Sequence, residues 1–303
     1  MASQTLLNDR ALMRRRDAVA LDRGKDHFLL AHIAGDLSDR IAGMTAEYPK
    51  ALDISPRAGV LPVALSSTAK ISNWVQAPSG VSAPLSGHHP GSKRAQEVVA
   101  DEEWLPFKPA SFDLVVSGLG LHRVNDLPGA LLQINRALVP DGLFLAALFA
   151  GSTLSELRAV MTEAETEVSG GASPRVMPFA DVAALGQLMQ RAGFALPVAD
   201  TERLTVRYAH LFDLIADLRA MGESNALHAR TRKPLTRRVF QKAAEIYADR
   251  FADPDGRIRA TFDIVTLTGW HPHGSQQQPL KPGSASVSLA DALVQAKAPE
   301  KAR

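Results

Sequence analysis

The sequence predicts an α/β fold: a doubly wound, mostly parallel sheet with N-terminal helices before it and C-terminal additions after it. Three observations predict it. From residue 51 onward, apolar strand-like runs alternate with amphipathic helical stretches, the pattern of βαβ units. The strongest run, SFDLVVSGLGLHRV, sets Phe112, Leu114, Val115 and Val116 in a nearly continuous apolar row, which suits a parallel strand covered on both faces. The chain has 303 residues, 46% hydrophobic and 22% charged, enough to bury a sizeable core.

Taken in order, NDRALMRRRDAVALDR reads as a charged helix whose Arg14-Arg15-Arg16 run forms a solvated face or an anion or partner contact. KDHFLLAHIAGDLSDRIAGM repeats Phe28, Leu29, Ile33, Leu37 and Ile41 at helical spacing and stops at Gly43. ALDI is a strand, VLPVALSST a weak helix or loop, and ISNWVQAP a short strand. SGVSAPLSGHHPGSK has the Gly, Pro and Ser content of a loop, and its His88-His89 pair lacks a third ligand nearby, so a surface loop is the reading adopted. AQEVVADEEWLPF gives a short strand and an acidic turn. NDLPGALLQINRALVPDG is a helix capped by Asn125 or Asp126 and ended by Pro140-Asp141-Gly142. LFLAALFAG is a buried strand, and STLSELRAVMTEAETEV a helix opened by Ser152 with Glu156 in its first turn. Three more helices follow, the first closed by Gly193 and the second by Gly222, with strands at TERLTVRY and IRATFDIVTLTGW. The organisation expected is an N-terminal helical extension over 1–48, the sheet domain with insertions after 175 over 49–275, and an extended or disordered tail over 276–303.

Composition removes several function classes. Without cysteine there is no disulfide, thiolate catalysis, zinc ribbon or Fe–S ligation. A formal net charge of +2 gives no strong field for nucleic acid. No apolar run has the length of a membrane span, and no apolar stretch behind the basic N-terminus forms a signal peptide, so the expectation is a soluble cytoplasmic protein; peripheral membrane contact is compatible with this.

In doubly wound sheets, ligands bind outside the C-terminal ends of the strands. The residues to read there are Asp53, Ser55, Arg57 and Gly59 after the first strand, Asp101 and Glu102 in the acidic turn, and Ser117, Leu119 and His122 after SFDLVV. His122 is a candidate general base, its reference pKa lying near about 6.5; a packing role explains it equally. Glu163 and Glu167 share a helix face at i,i+4 and read as solvated.

ADEEWLPF followed by SFDLVVSGLGLHRVNDLPGALLQINRALVPDGLFLAALF resembles a class I S-adenosylmethionine (SAM) methyltransferase, Rossmann-like in fold, in which an acidic residue after the third strand meets the adenine. STLSELR with AETE, and MGESNA with TGWHPHGSQQQPLKPGSA, resemble one branch: the respiratory complex I assembly factor that hydroxylates an arginine, with its bacterial relatives. The biotin-pathway methyltransferase of malonyl-carrier-protein is similar at greater distance. The resemblance spans about residues 8–292. It implies SAM as cofactor, held by Asp53, Ser55, Arg57, Gly59, Asp101, Glu102, Ser117 and Leu119. It also implies a protein substrate or partner, a complex I subunit, met by Glu223, Ser224, Asn225, Trp270, His271 and Gln276; an aromatic among polar groups can clamp a peptide or guanidinium by stacking.

The chain departs from that pattern at three places. The first loop carries Ser55 and Arg57 where the family has glycines. WVQAPSG offers no carboxylate for the ribose hydroxyls, a loss that weakens binding by about 1.5–3 kcal/mol, or one to two decades. Arg123 replaces a tryptophan. Arg57 either pairs with the SAM carboxylate or plugs the pocket. The functional expectation is a SAM-fold protein that modifies or binds a protein substrate, with weak or lost SAM binding; the alternatives are a non-catalytic assembly protein and a methyltransferase of a small or carrier-bound acid. These residues suggest no mechanism for oxygen chemistry.

Overall fold

Seven strands lie side by side in the order β3-β2-β1-β4-β5-β7-β6. They are β1 (Tyr48–Asp53), β2 (Ile71–Gln76), β3 (Gln96–Glu97), β4 (Phe112–Gly118), β5 (Leu138–Ala150), β6 (Ala195–Tyr208) and β7 (Ile258–Trp270). The computed structural model describes residues 7–22, 27–57, 59–80 and 96–276. Strands β1 to β5 pair in parallel; β7 runs antiparallel between β5 and β6. Strand order reverses between β1 and β4, so the crevice for a ligand opens beyond Asp53 and Gly118.

Each face of the sheet buries its own apolar cluster. On one side α2 (Phe28–Gly43), α3 (Val60–Leu65), α5 (Ser155–Ser169), α7 (Leu211–Ala220) and α8 (Arg237–Phe251) cover Ala51, Leu114, Leu145 and Phe262. On the other, α4 (Leu127–Ala137) and α6 (Val182–Arg191) cover Leu52, Val115, Phe144 and Leu267. Covering on both faces explains why the strand runs are continuous rather than alternating. The doubly wound parallel sheet expected from the sequence is therefore present.

Local signals held where chemistry dictated them. Asp126 caps α4, its Oδ1 accepting from Gly129 N at 2.9 Å. Gly193 and Gly222 end helices at φ +80° and +82°, the left-handed region that glycine enters without a Cβ penalty. Two expected boundaries moved. Helix α4 stops at Ala137, before Pro140-Asp141-Gly142, because Leu138 is already paired opposite Phe112 in the sheet; the turn residues sit inside β5, where the register shifts. Ser152 does not cap α5. Leu154 precedes that helix at φ +54° with no side-chain cap, while Ser152 N donates to Asp263 Oδ2 at 2.8 Å. His88 and His89 lie outside the described residues.

Contacts divide the chain after Pro272. In the short second unit, His273 Nδ1 lies 2.7 Å from Ser275 Oγ, and His273 N donates to Gln276 Oε1. Among the described residues, no helix is long and apolar enough to cross a membrane.

Helix α1 (Arg10–Asp22) lies across the C-terminal mouth of the sheet and is pinned there by charge. The buried guanidinium of Arg123, where the family resemblance calls for tryptophan, donates to both Asp17 carboxylate oxygens at 2.9 and 2.8 Å. Arg10 donates to Asp101 Oδ1 at 2.7 Å and to Glu102. Removing one partner of a buried pair leaves an uncompensated charge, which is far costlier than losing an exposed pair. Asp17→Ala should therefore cost about 3 kcal/mol of stability in urea unfolding, whereas Arg250→Ala, which breaks an exposed pair with Glu163, should cost under about 1 kcal/mol. Equal losses would show that Asp17 does not anchor α1.

Candidate functional site

The mouth is built where β1 and β4 end. Asp53, the last residue of β1, is 1% exposed. Its Oδ1 accepts from Ser55 N at 2.9 Å, its Oδ2 has no partner, and burial pushes its pKa up to about 7. Ser55 Oγ accepts from Gly118 N at 2.8 Å and so ties the loop to β4. Ser55 adopts no left-handed backbone; Gly59 does, at φ +90°, as it opens α3. Of the described residues in this turn, Gly59 alone has its identity dictated by backbone conformation.

Arg57 folds inward and donates to the carbonyl of Ala220 at the end of α7. Burial lowers its pKa, while the carboxylates of Asp17 and Glu223 pull the other way. Around it the cavity lined by Asp17, His27, Pro56, Leu119, Arg123 and Glu223 has a volume of about 10 Å³, room for one water at most. Two close approaches tighten it further. A Cβ on Gly118 would meet Leu30 Cδ1 at 2.8 Å, and one on Gly120 would meet Pro56 Cδ at 2.9 Å. Leu119 itself takes φ +53°, a strained value for a branched side chain.

The acidic turn is equally engaged. Asp101 accepts from Arg10 and, at 3.0 Å, from Arg14; Glu102 is 2% exposed and bonded to Arg10. Burial raises the Glu102 pKa and Arg10 opposes the rise. Arg57 occupies the space between Pro56 and Leu119, and Asp101 and Glu102 are paired with Arg10; beyond Pro56, towards Ser79 and Gly80, a cavity of about 450 Å³ stays open. Asp53 Oδ2, both side-chain polar atoms of Gln76 and Ser117 Oγ are buried without partners. Gln76 ends β2 directly opposite Asp53. In the sequence an amide marks no ribose site where a carboxylate is expected; its position closing the second strand is the available signal.

His122 follows β4, packed 4.9 Å from Phe149 and 5.9 Å from Phe179, ring centre to ring centre. Its Nε2 lies 3.3 Å from Glu223, and its Nδ1 is buried without a partner. Burial alone would raise the Glu223 pKa, but His122, Arg123 and His27 hold it down at about 2. His27, desolvated and facing Arg57, is lowered to about 4. Glu223 is thus an ionised carboxylate at physiological pH. It lines both the filled seat and an open groove of about 420 Å³ that also contains Ser224 and Asn225.

The expected substrate residues do not form one cluster. Glu223, Ser224 and Asn225 come together at the mouth. Trp270 pairs with Leu143 of β5, seven residues from Ala150 at its mouth end, or about 23 Å at strand rise. The antiparallel direction of β7 is the reason: its last residues lie where the parallel strands begin. His271 is there too, its N donating to Gly142 O at 2.8 Å and its Nδ1 2.7 Å from Asn135 Oδ1. Gln276 belongs to the separate short unit. Among the described residues, no three His, Asp or Glu are grouped to hold a metal ion.

Sheet order and mouth define a protein of the class I SAM-methyltransferase fold. Residues 83–146 match the family model described as a methyltransferase domain. The YcgJ protein from Bacillus subtilis shares the fold at TM-score 0.54 and 16% identity, covering 80% of this chain and 100% of that one. Within that class, the chain belongs to the family of the mitochondrial arginine-hydroxylase NDUFAF5. It is 39% identical to the Danio rerio protein over 93% of this chain and 88% of that one, and 41% identical to the Homo sapiens protein over 88% and 76%. It is also 32% identical to a malonyl-[acyl-carrier protein] O-methyltransferase from Laribacter hongkongensis, over 79% and 74%. The cytoplasmic expectation is corrected by these relatives, which are named as mitochondrial; a reading from absent sorting signals had nothing positive behind it.

Asp53 gives a pH test. A carboxyl whose folded pKa is raised contributes stability below its unfolded value near 3.8, and that contribution is lost as pH rises through about 7. Asp53→Asn keeps the oxygen that accepts from Ser55 and removes the titration. Between pH 5 and 8, wild type should lose on the order of 1–4 kcal/mol relative to the variant, read as the difference in urea unfolding energies. Parallel pH profiles would mean that Asp53 is not desolvated.

Proposed function

We propose that this chain serves the assembly of respiratory complex I by gripping an arginine-bearing segment of a subunit, the guanidinium resting on Glu223, with the SAM seat closed. Glu223 carries the reading. It is an ionised carboxylate, 13% exposed, reachable from the groove and held by His122 behind it. Guanidinium groups form bidentate pairs with such carboxylates. Leu157, Met161 and Leu218 line the groove and can receive the methylene stem of an arginine. The relatives' name, arginine-hydroxylase, supports the same side chain as the target, and the branch resemblance of MGESNA supports complex I as the setting.

A strain lacking this chain should fail to accumulate assembled complex I. Wild type should restore it and Glu223→Gln should not, with the variant present at wild-type level. Full rescue by Glu223→Gln would sink the reading.

A second reading, SAM-dependent transfer to a protein or to a small or carrier-bound acid, is favoured by the orphaned atoms of Asp53, Gln76 and Ser117, which a bound nucleoside would satisfy. SAM would supply the methyl group, and the chain would need only to hold an acceptor in line with it. Calorimetry separates the two. With a closed seat, wild type shows no saturable SAM binding, and Arg57→Ala leaves this unchanged or improves it. If Arg57 instead holds the SAM carboxylate, wild type binds and Arg57→Ala loses about 1.5–3 kcal/mol.

A further inference from the structure

The groove beside Glu223 has an uneven charge. Its floor carries one carboxylate, and its rim carries cations. Arg16 on α1 donates to the backbone carbonyl of Asn225, which sets its guanidinium against the Glu223–Asn225 turn. Arg219, in the last turn of α7, is exposed and lines the same groove. It favours the helix end electrostatically, and it has no ion-pair partner among the described residues. Arg230, outside the groove lining, acts on Arg16 as a like charge together with Arg219, after burial, to lower its pKa. Arg230 itself lies 3.7 Å from Asp9. Arg175 adds little, because Glu165 already accepts two hydrogen bonds from it. Between floor and rim the walls are apolar, with Val19, Leu157 and Phe240 among them. A volume of about 420 Å³ falls in the usual range for a ligand pocket.

We infer that the segment received by this groove carries acidic residues flanking its arginine: the guanidinium descends to Glu223 while the flanking carboxylates pair with Arg16 and Arg219 at the rim. This rests on the function proposed above and specifies the chemistry of its partner. Repulsion among the rim cations is relieved by flanking acids and would be worsened by flanking bases, so the same arrangement selects against arginines set in basic sequence.

The test uses the full chain and three blocked heptapeptides, titrated at low salt. One has a central arginine between two aspartates, the second the same arginine between two asparagines, and the third norleucine between two aspartates. The aspartate-flanked arginine should bind about tenfold more tightly than the asparagine-flanked one, two partly exposed ion pairs being worth that much, and the ratio should shrink with added salt. Arg219→Ala, which removes one of the two rim cations, should cut the ratio about threefold. The norleucine peptide should bind weakest. Equal binding of the two arginine peptides would overturn the acidic-flank inference and leave the arginine grip standing. Failure of both to bind would overturn the grip and the inference together. Binding of the norleucine peptide as tight as the first would overturn both as well, leaving a plain anion site.

Discussion

A buried charge must be neutralised where it lies, and at the mouth of this sheet three arginines are buried or half-buried within one small region. Arg123 takes both oxygens of Asp17, Arg10 takes Glu102 and Asp101, and Arg57 sits between the fields of Asp17 and Glu223. No member can leave alone without stranding its partner, which at a desolvated site costs several kcal/mol. Helix α1 therefore belongs to the mouth as firmly as the strands do. The small volume around Arg57 follows from this, since its guanidinium is held by the Ala220 carbonyl.

The same network sets the state of Glu223. Arg123 keeps it ionised from the inner side, where His122 also bonds it, while its outer side faces the groove. A carboxylate preorganised in this way need not reorient when a cation arrives, which is the condition for a strong charge-assisted pair. The inward fold of Arg57 and the groove beside Glu223 thus belong to one arrangement of charges.

The sheet was legible because its signals are local. Continuous apolar runs gave β4 and β5, and Asp126, Gly193 and Gly222 marked helix ends by chemistry that acts within a few residues. The boundary at Ala137 was not legible, since it depends on Leu138 pairing with a strand more than twenty residues earlier. At the mouth, the sequence identified Ser55, Arg57 and Arg123 as departures, and it framed the two roles open to Arg57. It did not show that Asp17 answers Arg123, or that Arg10 answers Glu102, because those partners lie about a hundred residues apart. Nor did it separate Trp270 and His271 from Glu223. That separation depends on the direction of β7, which a strand's own residues do not encode. Gln76 escaped notice for a different reason: an amide where a carboxylate is expected reads as an absence until its burial beside Asp53 is seen.

Whether Arg57 keeps SAM out is decided by a crystal structure of the wild-type protein grown in millimolar SAM. With the seat closed as proposed, Arg57 stays bonded to the Ala220 carbonyl, Asp17 stays on Arg123, and no cofactor density lies between Pro56 and Leu119. Ordered SAM in that space, with Arg57 swung out or bonded to the SAM carboxylate, is the opposite result and rules the closed seat out.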